Sequence, residues 1–231
     1  MDDRRVIVAL DLHTAEEAVR LARLLADEVA GFKVGLGLLH GPGPGLVGAL
    51  ARIGPVFADA KLHDIPSQVE RAARRLGEYG ARWVTAHASG GVAMLQAAHE
   101  GLAAGAGGRD AGVLAVTVLT SIDEAAAGAL FGRSPGELTS RLAKRAAEAG
   151  VEGVVCSPKE LRVVVDVAPQ LLRVVPGIRP AGTEAHDQRR TATPAEAAAR
   201  RAQLLVVGRP ITAAPDPVAA VARLHEELAA R

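Results

Sequence analysis

Eight short apolar runs, separated by segments with helical periodicity, constrain the fold of this chain more than any other feature of its sequence. The runs are continuously apolar and do not alternate strictly, which is typical of strands buried on both faces of a parallel sheet. Between them, apolar residues such as Ala18, Ala22 and Leu25 recur at helical spacing and predict amphipathic helices that cover the sheet. The runs span residues 6–12, 31–39, 55–61, 82–88, 112–120, 152–157, 172–178 and 203–209.

Eight strand-then-helix units favour a closed barrel over an open sheet. We therefore predict an α/β fold, a single (β/α)8 TIM barrel, with one domain over residues 1–231, since no shift in composition divides the chain. The length fits, because such barrels take roughly 250 residues. Active sites in this fold lie at the C-terminal ends of the strands, so the polar residues that follow each run are the candidates for function.

The composition argues against several classes of function. The chain has 27 Lys and Arg against 26 Asp and Glu, and only 2% of its residues are aromatic. Duplex binding needs a basic stripe and single-strand binding needs stacking aromatics, so we expect no nucleic-acid partner. The single cysteine, Cys156, cannot form an internal disulfide, and no apolar stretch is long enough to cross a membrane. The N-terminal sequence MDDRRVIVALD places charges where a signal peptide would need its apolar core. We expect a cytoplasmic protein with no membrane partner.

Charged residues end the first three runs: Asp11, Lys33, and then Asp59, Lys61 and Asp64. Strand alternation places Asp59 and Lys61 on one face, pointing into the barrel mouth. Lys61 then lies between carboxylates, which favours its ammonium form and makes it a proton donor instead of a Schiff-base nucleophile. A structural ion-pair network is the alternative. The charges at two neighbouring strand ends favour function, because buried charges are costly unless they are used.

The last run ends in Gly208 and Arg209 and leads into a predicted helix. Glycine allows close backbone approach and arginine offers a forked donor, at the place where barrels often bind phosphate. The alternative is a simple capped turn. Arg179, after the seventh run, and Gln188, in the polar loop at 182–193, would complete a cradle able to close over an anion.

The remaining polar candidates favour structural roles. His63 and His87 lie near acidic residues, but no HxH or HExxH spacing is present, so we predict no catalytic metal. Cys156 has no activating neighbour in the sequence and is predicted to be a small buried side chain.

Motifs along nearly the whole chain match a known family. The most specific is the D-x-K-x-x-D pattern of Asp59, Lys61 and Asp64, accompanied by Lys33. Through these motifs the sequence resembles the orotidine 5′-phosphate decarboxylase family. The other matching segments are VALD (8–11), FKVG (32–35), VTAHASGG (84–91), TVLTS (117–121), VPGIRPAG (175–182) and VVGRPIT (206–212).

The resemblance implies decarboxylation of orotidine 5′-monophosphate (OMP) to uridine 5′-monophosphate (UMP) without metal or cofactor, the last step of de novo pyrimidine synthesis. It implies a catalytic array of Lys33, Asp59, Lys61 and Asp64, in which Lys61 protonates carbon 6. It also implies a homodimer in which Asp64 reaches into the partner's site. The substrate-binding residues that it implies are Asp11 and Lys33 at the ribose, Thr120 at the base, and Gln188, Gly208 and Arg209 at the phosphate, with Arg179 beside them.

One segment departs from the family pattern. The family usually reads DIPNT, where this chain has DIPSQ at residues 64–68. Gln68 therefore stands where a threonine would line the neighbouring site, next to the retained Ile65. We expect local ribose contacts to differ at Gln68 and the reaction to be kept.

Three alternative functions agree less well with the sequence. The magnesium-dependent 3-keto-L-gulonate 6-phosphate decarboxylases share D-x-K-x-x-D but carry a carboxylate where this chain has Lys33, which would repel the metal. A catalytically dead barrel that serves as a binding subunit would be expected to lose its costly charges first. A phosphosugar isomerase would need a glutamate base, and no run ends in glutamate.

Overall fold

The computed structural model describes residues 4–180 and 191–229, and within them it shows a closed barrel of eight parallel strands. Each strand pairs with the next one in chain order, and β8 closes the barrel against β1. The TIM-barrel prediction is confirmed. The strands are β1 (Val6–Ala9), β2 (Gly31–Val34), β3 (Val56–Leu62), β4 (Trp83–His87), β5 (Gly112–Val116), β6 (Gly153–Val155), β7 (Leu172–Val175) and β8 (Leu204–Val207).

Helices occupy the connections between the strands. Several begin with reciprocal side-chain caps, as where Thr14 accepts from the backbone of Glu17 and Glu17 accepts from that of Thr14. None of the helices within the described ranges is long and apolar enough to span a bilayer. They are α1 (Ala15–Leu25), α2 (Leu36–His40), α3 (Gly45–Ala51), α4 (Pro66–Glu78), α5 (Val92–Ala106), α6 (Glu124–Phe131), α7 (Pro135–Glu148), α8 (Leu161–Val167), α9 (Pro194–Ala199), α10 (Arg209–Thr212) and α11 (Pro217–Ala229).

Each predicted run contains one strand, but every run except the third extends past the end of its strand, and the second and fifth runs extend furthest. The second strand ends at Val34, and α2 begins at Leu36, so the strand prediction for residues 36–39 is wrong. Short apolar runs do not distinguish helix from strand by periodicity. The fifth strand ends at Val116, which places Thr120 in the loop that leads to α6.

The strands are buried on both faces, as their continuous apolar character predicts. Along β1, Val6 and Val8 pack toward the helices, whereas Ile7 and Ala9 belong to a second cluster inside the barrel. The other residues of the interior cluster are Phe57, Trp83, Leu114, Val174 and Val206. The interior of the barrel is therefore a packed core, and a cavity opens toward the barrel mouth.

A charged cluster closes the N-terminal end of the barrel. Both guanidinium nitrogens of Arg82 donate to Glu152, at 2.7 and 2.8 Å, and the indole N–H of Trp83 donates to the same carboxylate at 3.1 Å. Gly112 makes this possible, because a Cβ there would lie 1.6 Å from a Glu152 oxygen. Since these residues directly precede or begin their strands, the cluster stabilises the end of the barrel that faces away from the predicted site.

Candidate active site

A cavity of about 450 Å³ opens at the C-terminal end of the barrel. Charged side chains from β1, β2 and β3 form one side, and residues that follow β7 and β8 form another. The sequence-predicted residues that line the cavity are Asp11, Lys33, Asp59, Lys61, Thr120, Arg179, Gly208 and Arg209. The structure thus brings most of the predicted site together in one cavity.

Four of these side chains alternate in charge. Lys33 Nζ lies 3.1 Å from Asp11 Oδ1 and 3.6 Å from Asp59 Oδ2, and Lys61 Nζ lies 2.7 Å from Asp59 Oδ1. Only Asp11, at the rim, is well exposed. The side chains of Lys33 and Asp59 are only 11% and 13% exposed. We call Asp11, Lys33, Asp59 and Lys61 the charged array. Each of its charges faces at least one opposite charge, which offsets the cost of burial.

Asp59 is the centre of the charged array. Burial alone would raise the pKa of its carboxyl, but the ammonium groups of Lys33 and Lys61 and a hydrogen bond from Thr85 hold this pKa below its ordinary value. Asp59 is therefore ionised at neutral pH and places a fixed negative charge in the cavity wall.

An irregularity in β3 presents Asp59 and Lys61 to the cavity. The strand pairs regularly with β4 up to Ala58, and the next pair is Leu62 with Ala86, so β3 has extra residues between these points. Lys61 lies in this bulge with φ at 48°, in the left-handed region. Its backbone N–H donates to the hydroxyl of Thr85, on β4, at 2.9 Å.

The wall formed mainly by β5, β6 and β8 is apolar, and apart from Cys156 its residues are not among those predicted from the sequence. Most of these residues lie on the strands or directly after them. Alternate residues of a barrel strand point inward, so this alternation along the buried runs could have predicted them. Cys156 is 1% exposed in this wall, as predicted. The apolar lining consists of Phe57, Val116, Val118, Leu119, Val155, Cys156 and Val206.

Arginines and backbone from the last two strand ends form the opposite wall. Arg179 is tied to Ala192 by a backbone hydrogen bond of 2.9 Å, and its side chain donates to the carbonyl of Ile178 at 2.8 Å. Gly208 caps α10, and Arg209 is the first residue of that helix. Gln188 lies outside the described residues.

The comparison with known proteins decides the family. A sequence model of the orotidine 5′-phosphate decarboxylase / HUMPS family matches residues 4–224. The chain belongs to this family. It is 52% identical over 219 residues to the orotidine 5′-phosphate decarboxylase of Anaeromyxobacter sp. (strain K), covering 94% of each chain. It is 46% identical over 229 residues to that of Paramagnetospirillum magneticum, covering 96% of this chain and 97% of the relative.

A solved structure gives the same result for the fold. The crystal structure of orotidine 5′-phosphate decarboxylase from Lactobacillus acidophilus aligns with a TM-score of 0.84 at 36% identity, over 98% of this chain and 100% of that one. The resemblance inferred from the motifs of the orotidine 5′-phosphate decarboxylase family is confirmed.

Three residues of the family's D-x-K-x-x-D segment or its continuation do not line the cavity: Asp64, Ile65 and Gln68 are exposed at and before the start of α4. The Asp64 carboxylate accepts a 2.7 Å hydrogen bond from the backbone N–H of Ile65. Within a single chain, the expectation that Lys61 lies between carboxylates is therefore wrong. Among the described residues, the ion-pair partner of Lys61 is Asp59. Asp64 comes after the strand end, where the chain leads into α4.

Two histidines lie beside the charged array of this family member. The rings of His63 and His87 are 5.3 Å apart between centroids. Burial is the main cause that lowers the pKa of His87, and repulsion by the nearby His63 and Lys61 lowers it further. The imidazole of His87 is therefore neutral at pH 7. Within the described ranges, no three His, Cys, Asp or Glu side chains gather in a way that could hold a metal ion.

Proposed function

We propose that this chain is an orotidine 5′-phosphate decarboxylase, a carboxy-lyase that converts OMP to UMP in pyrimidine biosynthesis. The observation that carries the proposal is the charged array, in which Asp11, Lys33, Asp59 and Lys61 alternate in sign at the mouth of one cavity. The relatives that carry this enzyme's name match the chain from end to end.

Lys61 is the proposed proton donor to carbon 6 of the pyrimidine. Loss of carbon dioxide leaves an electron pair on that carbon, and a reaction without a cofactor must stabilise it with a fixed cation and then protonate it. The ammonium of Lys61 can do both. Its 2.7 Å hydrogen bond to Asp59 orients it before substrate binds, which reduces the cost of reorganisation during the reaction.

Asp59 is proposed to act on the substrate carboxylate. Because the lysines keep its pKa low, it presents a negative charge near the position of the leaving carboxylate. Repulsion between the two carboxylates raises the free energy of the bound substrate and is relieved as carbon dioxide departs. Lys33 partly neutralises Asp59 from the other side, at 3.6 Å.

The remaining cavity residues are proposed to bind the nucleotide. Asp11 and Lys33, 3.1 Å apart at the rim, suit the ribose hydroxyls, and Thr120 suits the base. Gly35 supports this pair, since a Cβ there would lie 2.9 Å from an Asp11 oxygen and 3.1 Å from Lys33 Nζ. Gly35 therefore provides room for the salt bridge.

Gly208 and Arg209, with Gln188 and with Arg179 beside them, are proposed to bind the phosphate. A forked guanidinium and a helix start are suited to phosphate oxygens. The phosphate is remote from the reacting carbon, so its binding energy can serve to hold the substrate against the charged array.

The proposed reaction uses neither metal nor cofactor. The ammonium of Lys33 lies between the carboxylates of Asp11 and Asp59 and fills the position where a cation would otherwise bridge them. A magnesium ion there would be repelled by Lys33. These contacts of Lys33 argue against the reaction of the magnesium-dependent decarboxylases that share the D-x-K-x-x-D motif.

The proposed assembly is a cytoplasmic homodimer that places Asp64, Ile65 and Gln68 at the partner's site. One observation supports the dimer: all three residues are exposed in the single chain, and Ile65, a large apolar residue, is 62% exposed. Contact with a second copy of the chain would remove this apolar side chain from water.

The direct test is the ultraviolet absorbance change of OMP on addition of protein pretreated with EDTA, with UMP identified as the product. Rapid conversion supports both the reaction and its independence from metal. If conversion of OMP requires added magnesium, the proposed reaction stands and its independence from metal is refuted. No conversion of OMP, together with magnesium-restored activity on a keto-sugar phosphate, refutes the proposal and favours the rival decarboxylase. Inactivity on both substrates favours a binding subunit.

A further inference from the structure

We propose that Thr85 is a positioning residue that holds Lys61 and Asp59 in their reactive arrangement. Thr85 lies in the middle of β4 with 0% exposure and does not line the cavity. Its catalytic consequence rests on the proposed decarboxylation, whereas its geometric role can be measured independently of activity.

The bulge in β3 creates the need for such a residue. Between Ala58 and Leu62, β3 leaves the regular ladder with β4, and there the backbone N–H of Lys61 donates to a side chain of β4. A buried N–H without an acceptor is costly. The hydroxyl of Thr85 accepts from this N–H at 2.9 Å.

The same hydroxyl also fixes the carboxylate. Because a backbone N–H can only donate, the oxygen of Thr85 is the acceptor there, and its own proton is available to Asp59 Oδ1 at 2.9 Å. That carboxylate oxygen accepts from Lys61 Nζ at 2.7 Å as well. The hydrogen bonds form a closed circuit: Lys61 N–H to Thr85, Thr85 O–H to Asp59, and Lys61 ammonium to Asp59.

This circuit holds Lys61 at both its backbone and its ammonium. The backbone is in the left-handed region, with φ at 48°, which costs free energy for a residue with a Cβ and persists only where neighbouring contacts enforce it. Thr85 supplies such a contact. Without it, the bulge is expected to relax and to move both the ammonium and the carboxylate away from the reacting carbon.

The test compares Thr85→Val, which keeps the side-chain shape and removes the hydroxyl, with wild type. We expect kcat for OMP to fall roughly tenfold to a hundredfold, because a hydrogen bond to a charged group is lost. KM should stay within about threefold, since Thr85 does not line the substrate cavity. The backbone amide of Lys61, followed by NMR hydrogen exchange without substrate, should lose its protection.

Two controls separate positioning from packing. Thr85→Ser keeps the hydroxyl and should restore both kcat and the protection of the Lys61 amide. Thr117→Val removes another buried threonine hydroxyl, one strand away, that donates to the Val155 carbonyl at 2.9 Å and does not line the cavity. This control should leave kcat and the Lys61 amide unchanged.

Each alternative result overturns a specific statement. Unchanged kcat and unchanged protection in Thr85→Val refute positioning, as does an equal loss of kcat in Thr85→Ser. If the valine variant does not fold, Thr85→Cys provides the comparison with Thr85→Ser, because a thiol of similar size hydrogen-bonds weakly. Wild-type protein that fails to decarboxylate OMP refutes the proposed function, and the exchange measurement still decides the role of Thr85.

Discussion

Lys61 donates a 2.7 Å hydrogen bond to Asp59 although the two residues lie on the same strand with only Ala60 between them. Alternate residues of a regular strand are spaced about 6.6 Å apart along its axis. The contact therefore depends on the reach of both side chains and on the bulge at Lys61. It places a cation and an anion side by side at the centre of the cavity wall, and the predicted effects of substitution follow from this arrangement.

Replacement of Lys61 by alanine should abolish turnover and leave the fold intact. The variant loses the proton donor and the fixed cation together, so we expect kcat/KM for OMP to fall by at least about 10⁴-fold. Lys144→Ala, at an exposed lysine on α7, is the control and should keep full activity. Appreciable turnover by Lys61→Ala in a steady-state assay would contradict the proton-donor role.

Stability should depend on pH through Asp59. The ammonium groups of Lys33 and Lys61 hold the folded-state pKa of Asp59 below its ordinary value, despite its burial. Its ionisation therefore stabilises the fold at pH values above that ordinary pKa, and this contribution is lost as pH falls through the folded pKa. Asp59→Asn should be less stable than wild type by about 2–4 kcal/mol at neutral pH, because the partly buried ammonium of Lys61 loses its carboxylate partner and the buried ammonium of Lys33 loses one of its two. Urea unfolding of both proteins should show the difference shrinking below about pH 4. A difference that stays constant down to pH 3 would refute this linkage.

Much of this arrangement follows from local sequence patterns. Continuous apolar runs predicted the strands because both faces of a barrel strand are buried, and strand alternation predicted that Asp59 and Lys61 share one face. The helix at Leu36 was missed because its apolar residues extend the run of β2 without a break.

The role proposed for Thr85 could not be predicted from the sequence. An interior threonine of a buried strand carries no signal of its own, and its contacts arise only because β3 departs from the ladder opposite it. The exposed position of Asp64 was missed for a related reason. Residue spacing indicates a strand end but does not show that the chain has already turned away from the cavity.

Arg209→Ala should weaken the binding of phosphorylated ligands selectively. We expect the affinity for UMP to fall roughly tenfold to a hundredfold, as for loss of a hydrogen bond to a charged group, and the affinity for uridine to stay the same. Isothermal titration of both ligands measures the difference. Arg162→Ala, at an exposed arginine of α8 that does not line this cavity, should leave both affinities unchanged. Equal losses for UMP and uridine would argue against the phosphate role.

Mixing two inactive variants tests whether Asp64 acts across a dimer. Asp64→Ala and Lys61→Ala should each be inactive alone, because each lacks one member of every site. If the proposed dimer shares residues between subunits, subunits mixed after unfolding and refolding form heterodimers with one intact site, which gives about a quarter of wild-type activity. If Asp64 acts within its own chain, no mixed dimer has an intact site and no activity returns.

The cluster at the N-terminal end of the barrel should affect stability without affecting catalysis. Glu152→Gln weakens the paired bonds from Arg82 and the bond from Trp83, and we expect a loss of about 1–3 kcal/mol in unfolding free energy, since the pair is only partly buried. Glu70→Gln, which breaks the exposed pair with Arg74 on α4, should change stability little. Glu152 precedes its strand, whereas the charged array lies at the opposite, C-terminal end of the barrel. KM and kcat of Glu152→Gln should therefore equal those of wild type at temperatures where the protein stays folded. A change in kcat without a change in stability would show that the two ends of the barrel are coupled.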